Sequence, residues 1–315
     1  MGLSEIYMIA GFLLAGYAVV ANDAIQTLGT FLSSNAHRPW WLLWLFAGAI
    51  LVSVFIYGYV ANDGDLSYGR LASVPETEVF TWWMVIPPLV ILFLTRLGIP
   101  VSTTFLVLTV FNPRGLESML TKSLLGYGVA FVVGYLVYKL VMSTVERRFI
   151  ETSRDRPASH WVVLQWLSTA FLWSQWLIQD LANIVVYLPR QFSLEMLIAF
   201  IAVMLALHAW IFYRRGGQIQ RIVTTKINTR DIRSATVIDF IYGLILFFFK
   251  ELSQVPMSTT WVFLGLLAGR EFAVALDTYL RSNRETTMIV VKDAFKGAIG
   301  LAVSVSVALG VRWLA

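Results

Sequence analysis

The sequence predicts an all-α integral membrane protein of about ten membrane helical elements, in two inverted-topology repeats with interrupted helices. Three observations indicate this fold class: an apolar composition, recurring apolar segments, and one motif pattern that occurs twice. The chain has 315 residues, 58% hydrophobic and 14% charged, and its mean hydropathy is +0.71. A soluble protein of this size would need more charged surface.

Apolar segments recur at about the 17–25 residues that cross hydrocarbon. The first repeat, residues 1–145, contains predicted elements at 6–32, 41–59, 80–94, 100–111 and 124–142. After a cytoplasmic linker at 146–161, the second repeat, residues 162–315, contains counterparts at 162–188, 194–213, 237–249, 256–268 and 289–314. Helices are expected because lipid offers no hydrogen-bond partner to unpaired backbone N–H and C=O groups. The short elements at 100–111 and 256–268 either span the membrane or are re-entrant.

The charges of the loops predict the orientation. Residues 146–160 carry four arginines, and residues 214–233 carry six basic side chains against one acid, so both are expected in the cytoplasm. Residues 62–78 carry four acids against Arg70 alone and are expected outside. Because 62–78 and 214–233 are equivalent loops, opposite sides imply an inverted repeat with an odd number of crossings per half. Five crossings each place both termini on the extracellular or periplasmic side of the cytoplasmic (inner) membrane.

The duplicated pattern joins two motifs at matched spacing. The first copy reads Val-Ala-Asn-Asp-Ala-Ile-Gln at 20–26, followed by Pro-Val-Ser-Thr-Thr at 100–104. The second reads Leu-Ile-Gln-Asp-Leu-Ala-Asn at 177–183, followed by Pro-Met-Ser-Thr-Thr at 256–260. From Asp23 to Pro100 is 77 positions (100 − 23), and from Asp180 to Pro256 is 76 (256 − 180). Such a match indicates a repeated site.

Each Asn-Asp motif contains one Asn, one Asp and one Gln. A carboxylate near the bilayer centre costs about 3 kcal/mol and therefore needs a partner. Amide and carboxylate oxygens are ligands of hard cations, which predicts a Na⁺ site at these motifs. Polar contacts between helices are the alternative. The predicted cation ligands are Asn22, Asp23 and Gln26 in the first half and Gln179, Asp180 and Asn183 in the second.

Each Ser-Thr-Thr motif follows a proline, which favours the first turn of a helix. Backbone N–H groups and hydroxyls at a helix start are donors for an anion, so the motifs predict an oxyanion site, with ordinary capping as the alternative. An arginine lies 14 positions after each proline and is expected to neutralise the anion or to snorkel to the interface. The predicted substrate-binding residues are Ser102, Thr103, Thr104, Ser258, Thr259, Thr260, Arg114 and Arg270.

These motifs resemble those of the inorganic phosphate transporter (PiT, Pho4-like) family, with its duplicated Gly-Ala-Asn-Asp-Val-Ala-Asn signature and its Pro-x-Ser-Thr-Thr segments. The resemblance covers both halves. It implies a cation-coupled symporter of inorganic phosphate, with the Asn-Asp motifs serving the cation, the Ser-Thr-Thr motifs the oxyanion, and the termini outside. The sequence departs from the family at Phe105 and Trp261, where members usually have His, and at Gln26 and Gln179, which replace Asn. Sulfate is therefore the alternative substrate.

Other function classes fit the sequence less well. An intramembrane enzyme with Asp23 and Asp180 as an acid–base pair would leave the hydroxyl motifs unexplained, and an anion channel would not need the cation motifs. We therefore expect a transporter rather than an enzyme, with no cofactor and with Na⁺ or H⁺ as coupling ion. The expected partners are inorganic phosphate or sulfate, Na⁺ and the lipid bilayer, without nucleic acid, and a homodimer is one option. The chain has no cysteine, which excludes disulfides.

Overall fold

A computed structural model describes most of the chain, and the part that it describes consists of helices and connecting turns without strands. The described residues are 2–99, 101–142, 145, 148–149, 151–152, 158–217, 220, 231–252, 256–277, 288, 291, 295, 298–300, 302–307 and 309–310.

The helices of the first half are α1 (Leu3–Val19), α2 (Ile25–Ser34), α3 (Trp40–Ala61), α4 (Ile86–Arg96), α5 (Thr103–Phe111) and α6 (Leu116–Val137). A π-helical segment, Val20–Ala24, joins α1 to α2, and another, Tyr138–Met142, follows α6. Short 3₁₀ turns, Trp82–Val85 and Pro113–Gly115, precede α4 and α6. The second half contains α7 (Ser159–Asp180), α8 (Ala182–Val185), α9 (Leu194–Tyr213), α10 (Ile232–Leu252) and α11 (Thr259–Asp277).

Five helical stretches in the described part are long and apolar enough to cross a membrane: Leu3–Ala24, Trp40–Ala61, Pro113–Leu140, Leu194–Tyr213 and Ile232–Leu252. The long helix α7 is not among them, although it has 22 residues. It carries many polar side chains, and it buries Gln165, Thr169, Gln179 and Asp180 inside the protein. The prediction of a multi-pass helical membrane protein is confirmed.

The predicted elements correspond to the observed helices with informative differences. The element at 194–213 coincides with α9, and the one at 6–32 is interrupted by the π-helical segment. The element at 256–268 extends to Asp277. Pro100, most of the linker at 146–161 and most of the last element at 289–314 lie outside the described residues, although 298–300 and 302–307 are helical.

Helices α4 and α5 form a hairpin that begins and ends on one face, which we call the loop face because it carries residues 62–81. α4 follows these residues, and Asn112, at the end of α5, donates a 3.0 Å hydrogen bond to the carbonyl of Ser73. α4 has 11 residues and is therefore about 16 Å long, roughly half the hydrocarbon thickness. This geometry supports the re-entrant alternative for the element at 100–111.

Helices α6 and α11 approach each other through glycine. A Cβ on Gly269 would collide with the backbone carbonyl of Phe131, and a Cβ on Gly265 with that of Tyr127. Gly265 and Gly269 are four positions apart and share one face of α11, which is the spacing of close helix pairs in membranes. This contact places the start of α11, and with it the second Ser-Thr-Thr motif, against the first half of the chain.

Candidate ion and oxyanion site

Both Asn-Asp motifs lie where a helix is interrupted. Asn22 and Asp23 belong to the π-helical segment, and Asp180 ends α7 one residue before the break at Leu181. A π-helical segment inside an α-helix shifts the hydrogen-bonding register and often marks a functional position. Asp23 is 1% exposed and Asp180 0%, so both carboxylates are inside the protein.

The second residue of each Ser-Thr-Thr motif donates to the carboxylate of its own half. Thr103 Oγ1 lies 2.5 Å from Asp23 Oδ2, and Thr259 Oγ1 lies 2.5 Å from Asp180 Oδ2. Thr260 Oγ1 adds a 3.1 Å hydrogen bond to Asp23 Oδ1 from the other half. The two motif types, separated by 79 or 80 positions in sequence, therefore form a single site.

The third residue of each motif reaches across to the opposite half. Thr104 donates to the carbonyl of Met257 at 3.2 Å, and Thr260 Oγ1 lies 3.1 Å from the carbonyl of Val101, which is the alternative acceptor to Asp23 for its single proton. Asn183 Nδ2 also contacts Thr103 Oγ1 at 3.1 Å. These reciprocal contacts hold the starts of α5 and α11 face to face.

The first residue of each motif caps its helix. Ser102 Oγ accepts from the Phe105 N–H at 3.2 Å, and Ser258 Oγ accepts from the Trp261 N–H at 3.3 Å. The capping interpretation therefore describes the two serines, whereas the four threonines contact the carboxylates and the opposite loop. A Ser-Thr-Thr motif thus assigns one hydroxyl to each of three tasks.

The amide side chains of the predicted cation site present unpaired oxygens. Among the described residues, no donor reaches Asn22 Oδ1, Gln26 Oε1, Gln179 Oε1 or Asn183 Oδ1, although each side chain is at most 3% exposed. Buried acceptors are paired in the great majority of cases. Together with the two carboxylates, these four unpaired amide oxygens are a set of oxygen ligands that suits a hard cation such as Na⁺. The described residues contain no group of three or more His, Asp or Glu that could hold a metal ion.

The predicted arginines lie apart from this site. Arg114 is an exposed residue of the Pro113–Gly115 turn and lines a cavity of 560 Å³ with Glu117 and Lys122. Arg270 lies ten positions beyond Thr260 on α11, which corresponds to about 15 Å along the helix axis. Its guanidinium lies 3.3 Å from Glu271. Neither position supports a direct contact with an anion at the threonines.

The two aromatic residues that depart from the family pattern contact each other. Phe105 and Trp261 immediately follow the two Ser-Thr-Thr motifs, and their rings pack edge to face with centroids 6.0 Å apart. Phe105 is completely buried. An apolar pair, rather than two titratable histidines, therefore joins the halves behind the motifs.

Two buried charged residues lie outside the predicted motifs. Asp239 on α10 accepts hydrogen bonds from Thr169 at 2.5 Å and from Thr30, so it links α2, α7 and α10. Arg70 is 1% exposed, and its Nε donates to the carbonyl of Ile178 at 3.1 Å, two residues before Asp180. An acidic residue within an apolar helix was the available signal for Asp239. The sequence contained no comparable signal for Arg70.

Comparison with solved structures identifies the fold. Over 100% of this chain and 99% of the other, the structure matches one described as "The sodium-dependent phosphate transporter", with a TM-score of 0.60 and 17% sequence identity. The chain has the fold of a solved transporter. That protein is a transporter rather than an enzyme, and the match confirms the coarser prediction of a helical membrane transporter fold. No protein-family model and no curated protein sequence matches the chain.

Proposed function

We propose that the protein is a Na⁺-coupled secondary symporter of inorganic phosphate. One observation carries this proposal: in both halves, the threonine hydroxyls that would bind an oxyanion are hydrogen-bonded to the carboxylates that would bind the cation. The shared fold with a sodium-dependent phosphate transporter supports the same assignment. The proposed cation ligands are those predicted above, and the proposed anion donors are Thr103, Thr104, Thr259 and Thr260.

The contacts suggest how the two substrates are coupled. A hydroxyl has one proton, so Thr103 cannot donate to Asp23 and to a phosphate oxygen at once. Na⁺ at Asp23 would replace the Thr103 hydroxyl as the partner of the carboxylate. The hydroxyl would then be free to donate its hydrogen bond to the anion. Thr259 and Asp180 repeat the arrangement. Without Na⁺, an anion would instead meet two buried carboxylates and be repelled by them.

The position of the carboxylates favours phosphate over sulfate. Near neutral pH phosphate retains a proton and can donate a hydrogen bond, whereas sulfate can only accept. Asp23 and Asp180 lie against the threonines that would hold the anion, at 2.5 Å in each case. A protonated phosphate oxygen could donate to one of these carboxylates. Sulfate would face a like charge with no proton between them.

We further propose that the two halves are an inverted repeat of the kind found in the phosphate transporter family. The reciprocal contacts of Thr104 with Met257 and of Thr260 with Val101 support a pseudo-twofold relation between the halves. The loop charges support cytoplasmic positions for 146–160 and 214–233. On this arrangement the loop face and both termini are extracellular or periplasmic, and the protein lies in the cytoplasmic membrane.

The proposal is tested by uptake into proteoliposomes. Purified protein reconstituted without internal Na⁺ is given labelled phosphate with an inward gradient of Na⁺, of H⁺ or of K⁺. Saturable uptake with Na⁺, and background uptake with K⁺, is expected. Uptake driven by H⁺ alone would assign the coupling to protons, and cation-independent flux would indicate a channel. Complete inhibition by an equal concentration of sulfate would make sulfate the substrate.

A further inference from the structure

Arg70 is held inside the protein by an ordered loop. Asp65 accepts hydrogen bonds from the N–H groups of Ser67 and Gly69 at 2.7 and 3.1 Å, and the Arg70 N–H donates to the carbonyl of Ser67 at 3.1 Å. Leu66 and Leu71, on either side, are 0% and 2% exposed. The segment therefore folds inward from the loop face and directs Arg70 towards α7.

The guanidinium of Arg70 uses only part of its donor capacity. Its Nε binds the carbonyl of Ile178, while Nη1 and Nη2 are buried and have no hydrogen-bond partner among the described residues. Arginine has five N–H donors and remains charged in proteins. A buried charge without partners is strongly unfavourable, and buried cations are usually paired with an anion. The two Nη groups are thus placed for an acidic ligand.

Charges around Arg70 do not supply this ligand. Burial lowers the pKa of Arg70 to about 10, and the carboxylates of Asp180 and Glu251 oppose that shift from a distance. No ion pair joins Arg70 to either of them in the described part of the chain. Its charge also acts on Lys122, a residue of the 560 Å³ cavity that Arg114, Ser118 and Thr121 line. Arg70 is therefore electrostatically linked both to a cavity with basic residues and to the carboxylate of Asp180.

We propose that Arg70 is a second oxyanion-binding group, which binds phosphate through Nη1 and Nη2 on its way between the Arg114–Lys122 cavity and the threonines. The inference rests on the proposed function for the identity of the anion. The parallel donors of a guanidinium match two oxygens of a phosphate, which an ammonium group does not. Because Arg70 is 1% exposed, the ligand is a free anion rather than a lipid head group.

Arg70 would bind the anion without a cation, whereas the threonines would need one. The protons of Thr103 and Thr259 are engaged by carboxylates, whereas the two Nη groups of Arg70 are available without Na⁺. We therefore expect weak phosphate binding by the purified protein in a Na⁺-free choline buffer. Na⁺ should then add the tighter binding at the threonines.

The test measures equilibrium binding of labelled phosphate to the full-length protein, with and without Na⁺, in Arg70→Lys and Arg70→Gln. Both variants should weaken Na⁺-free binding by about tenfold or more, the value expected when charge-assisted hydrogen bonds are lost. Arg190→Lys is the matched control, since Arg190 is an arginine of the same face that donates to the carbonyls of Val74 and Pro75. Its phosphate affinity should stay within about twofold of wild type, since lysine keeps the charge and both hydrogen bonds of the Arg190 Nη2 go to neutral carbonyls.

Several outcomes would overturn the inference. Unchanged Na⁺-free phosphate binding in Arg70→Lys would overturn it. Because Arg70→Lys keeps the charge, it remains the deciding variant if Arg70→Gln does not fold. Equal losses of phosphate affinity and of Na⁺ activation in both variants would make Arg70 a counter-charge of Asp180 instead. Wild-type protein that shows normal Na⁺-driven uptake but no Na⁺-free binding would reject the inference alone. Absence of Na⁺-driven uptake would reject the proposed function, while Na⁺-free binding that depends on Arg70 would still support an oxyanion site.

Discussion

The hydroxyl of Thr103 donates a 2.5 Å hydrogen bond to Oδ2 of Asp23, 80 positions earlier in the chain. The contact joins the start of α5 to the π-helical segment between α1 and α2. Because a single proton cannot serve a carboxylate and an oxyanion together, binding of a cation at Asp23 and binding of an anion at Thr103 are expected to depend on each other.

Neutralising the carboxylates should weaken activation by Na⁺. Asp23→Asn and Asp180→Asn keep the size of the side chain and remove its charge. In each variant the half-activating Na⁺ concentration for phosphate uptake should rise by about tenfold or more, equivalent to about 1.4 kcal/mol. Asp63→Asn is the control, since Asp63 is exposed on the loop face and its φ of 50° suits Asn. Unchanged Na⁺ dependence in both site variants would reject the cation assignment.

Removing the threonine hydroxyls should weaken phosphate binding. Thr103→Val and Thr259→Val delete one donor each, and the KM for phosphate should rise by about tenfold, consistent with the roughly 1.5 kcal/mol of a hydrogen bond to a charged group. Thr103→Ser keeps the hydroxyl and should retain most of the affinity. Thr109→Val serves as the control, because Thr109 is buried on the same helix and donates to the carbonyl of Phe105. Equal KM values for Thr103→Val and Thr109→Val would contradict the assignment.

The approach of α6 and α11 should not tolerate a methyl group. Gly269→Ala would bring a Cβ against the carbonyl of Phe131 and should lower the free energy of unfolding by about 1–3 kcal/mol. Gly128→Ala makes the same change on α6, where nothing lies within 4 Å, and should be neutral or slightly stabilising. Thermal unfolding of the detergent-purified variants measures both. Equal unfolding temperatures would show that the helices separate at little cost.

Asp239 should contribute to stability. Asp239→Ala leaves the hydroxyls of Thr30 and Thr169 without their acceptor, which should cost about 1–3 kcal/mol for each unsatisfied donor. Asp239→Asn keeps one acceptor oxygen and should lose less. The order of unfolding temperatures is expected to be wild type, Asp239→Asn, Asp239→Ala. An alanine variant as stable as wild type would show that these hydrogen bonds add nothing.

Cysteine labelling tests the orientation, and the chain contains no native cysteine. Asp63 is an exposed residue of the loop face, and Arg214 is an exposed residue at the end of α9. A membrane-impermeant thiol reagent should label Asp63→Cys from outside intact cells and Arg214→Cys only after the membrane is opened. Labelling of both residues from the same side would contradict the inverted arrangement.

The sequence predicted the composition of the site better than its connections. Duplication identified Asp23, Asp180 and the two Ser-Thr-Thr motifs because costly polar residues recurred at matched spacing. The hydrogen bond of Thr104 to Met257, by contrast, depends on how closely the starts of α5 and α11 approach each other. Spacing alone carries no information on such contacts between halves.

The positions of two arginines, Arg70 and Arg270, were not predictable from the sequence. Arg70 was counted only as the single basic residue of the loop at 62–78, yet Leu66 and Leu71 fold its segment inward. Arg270 was chosen for its matched distance from a proline. It lies ten residues after Thr260 on α11, however, and a rise of about 1.5 Å per residue separates it from the threonines by about 15 Å along the helix axis. Both depend on three-dimensional placement that charge patterns do not encode.

The most direct test of the account is the mutual dependence of Na⁺ and phosphate binding in the purified wild-type protein. Calorimetry would measure the phosphate Kd at several Na⁺ concentrations, and the Na⁺ Kd with and without phosphate. We predict that Na⁺ tightens phosphate binding by about tenfold or more, and that phosphate tightens Na⁺ binding by the same factor, as linkage requires. Thr103→Val should reduce both factors together. Phosphate affinity that does not change with Na⁺ would contradict the sharing of threonine protons between the carboxylates and the anion.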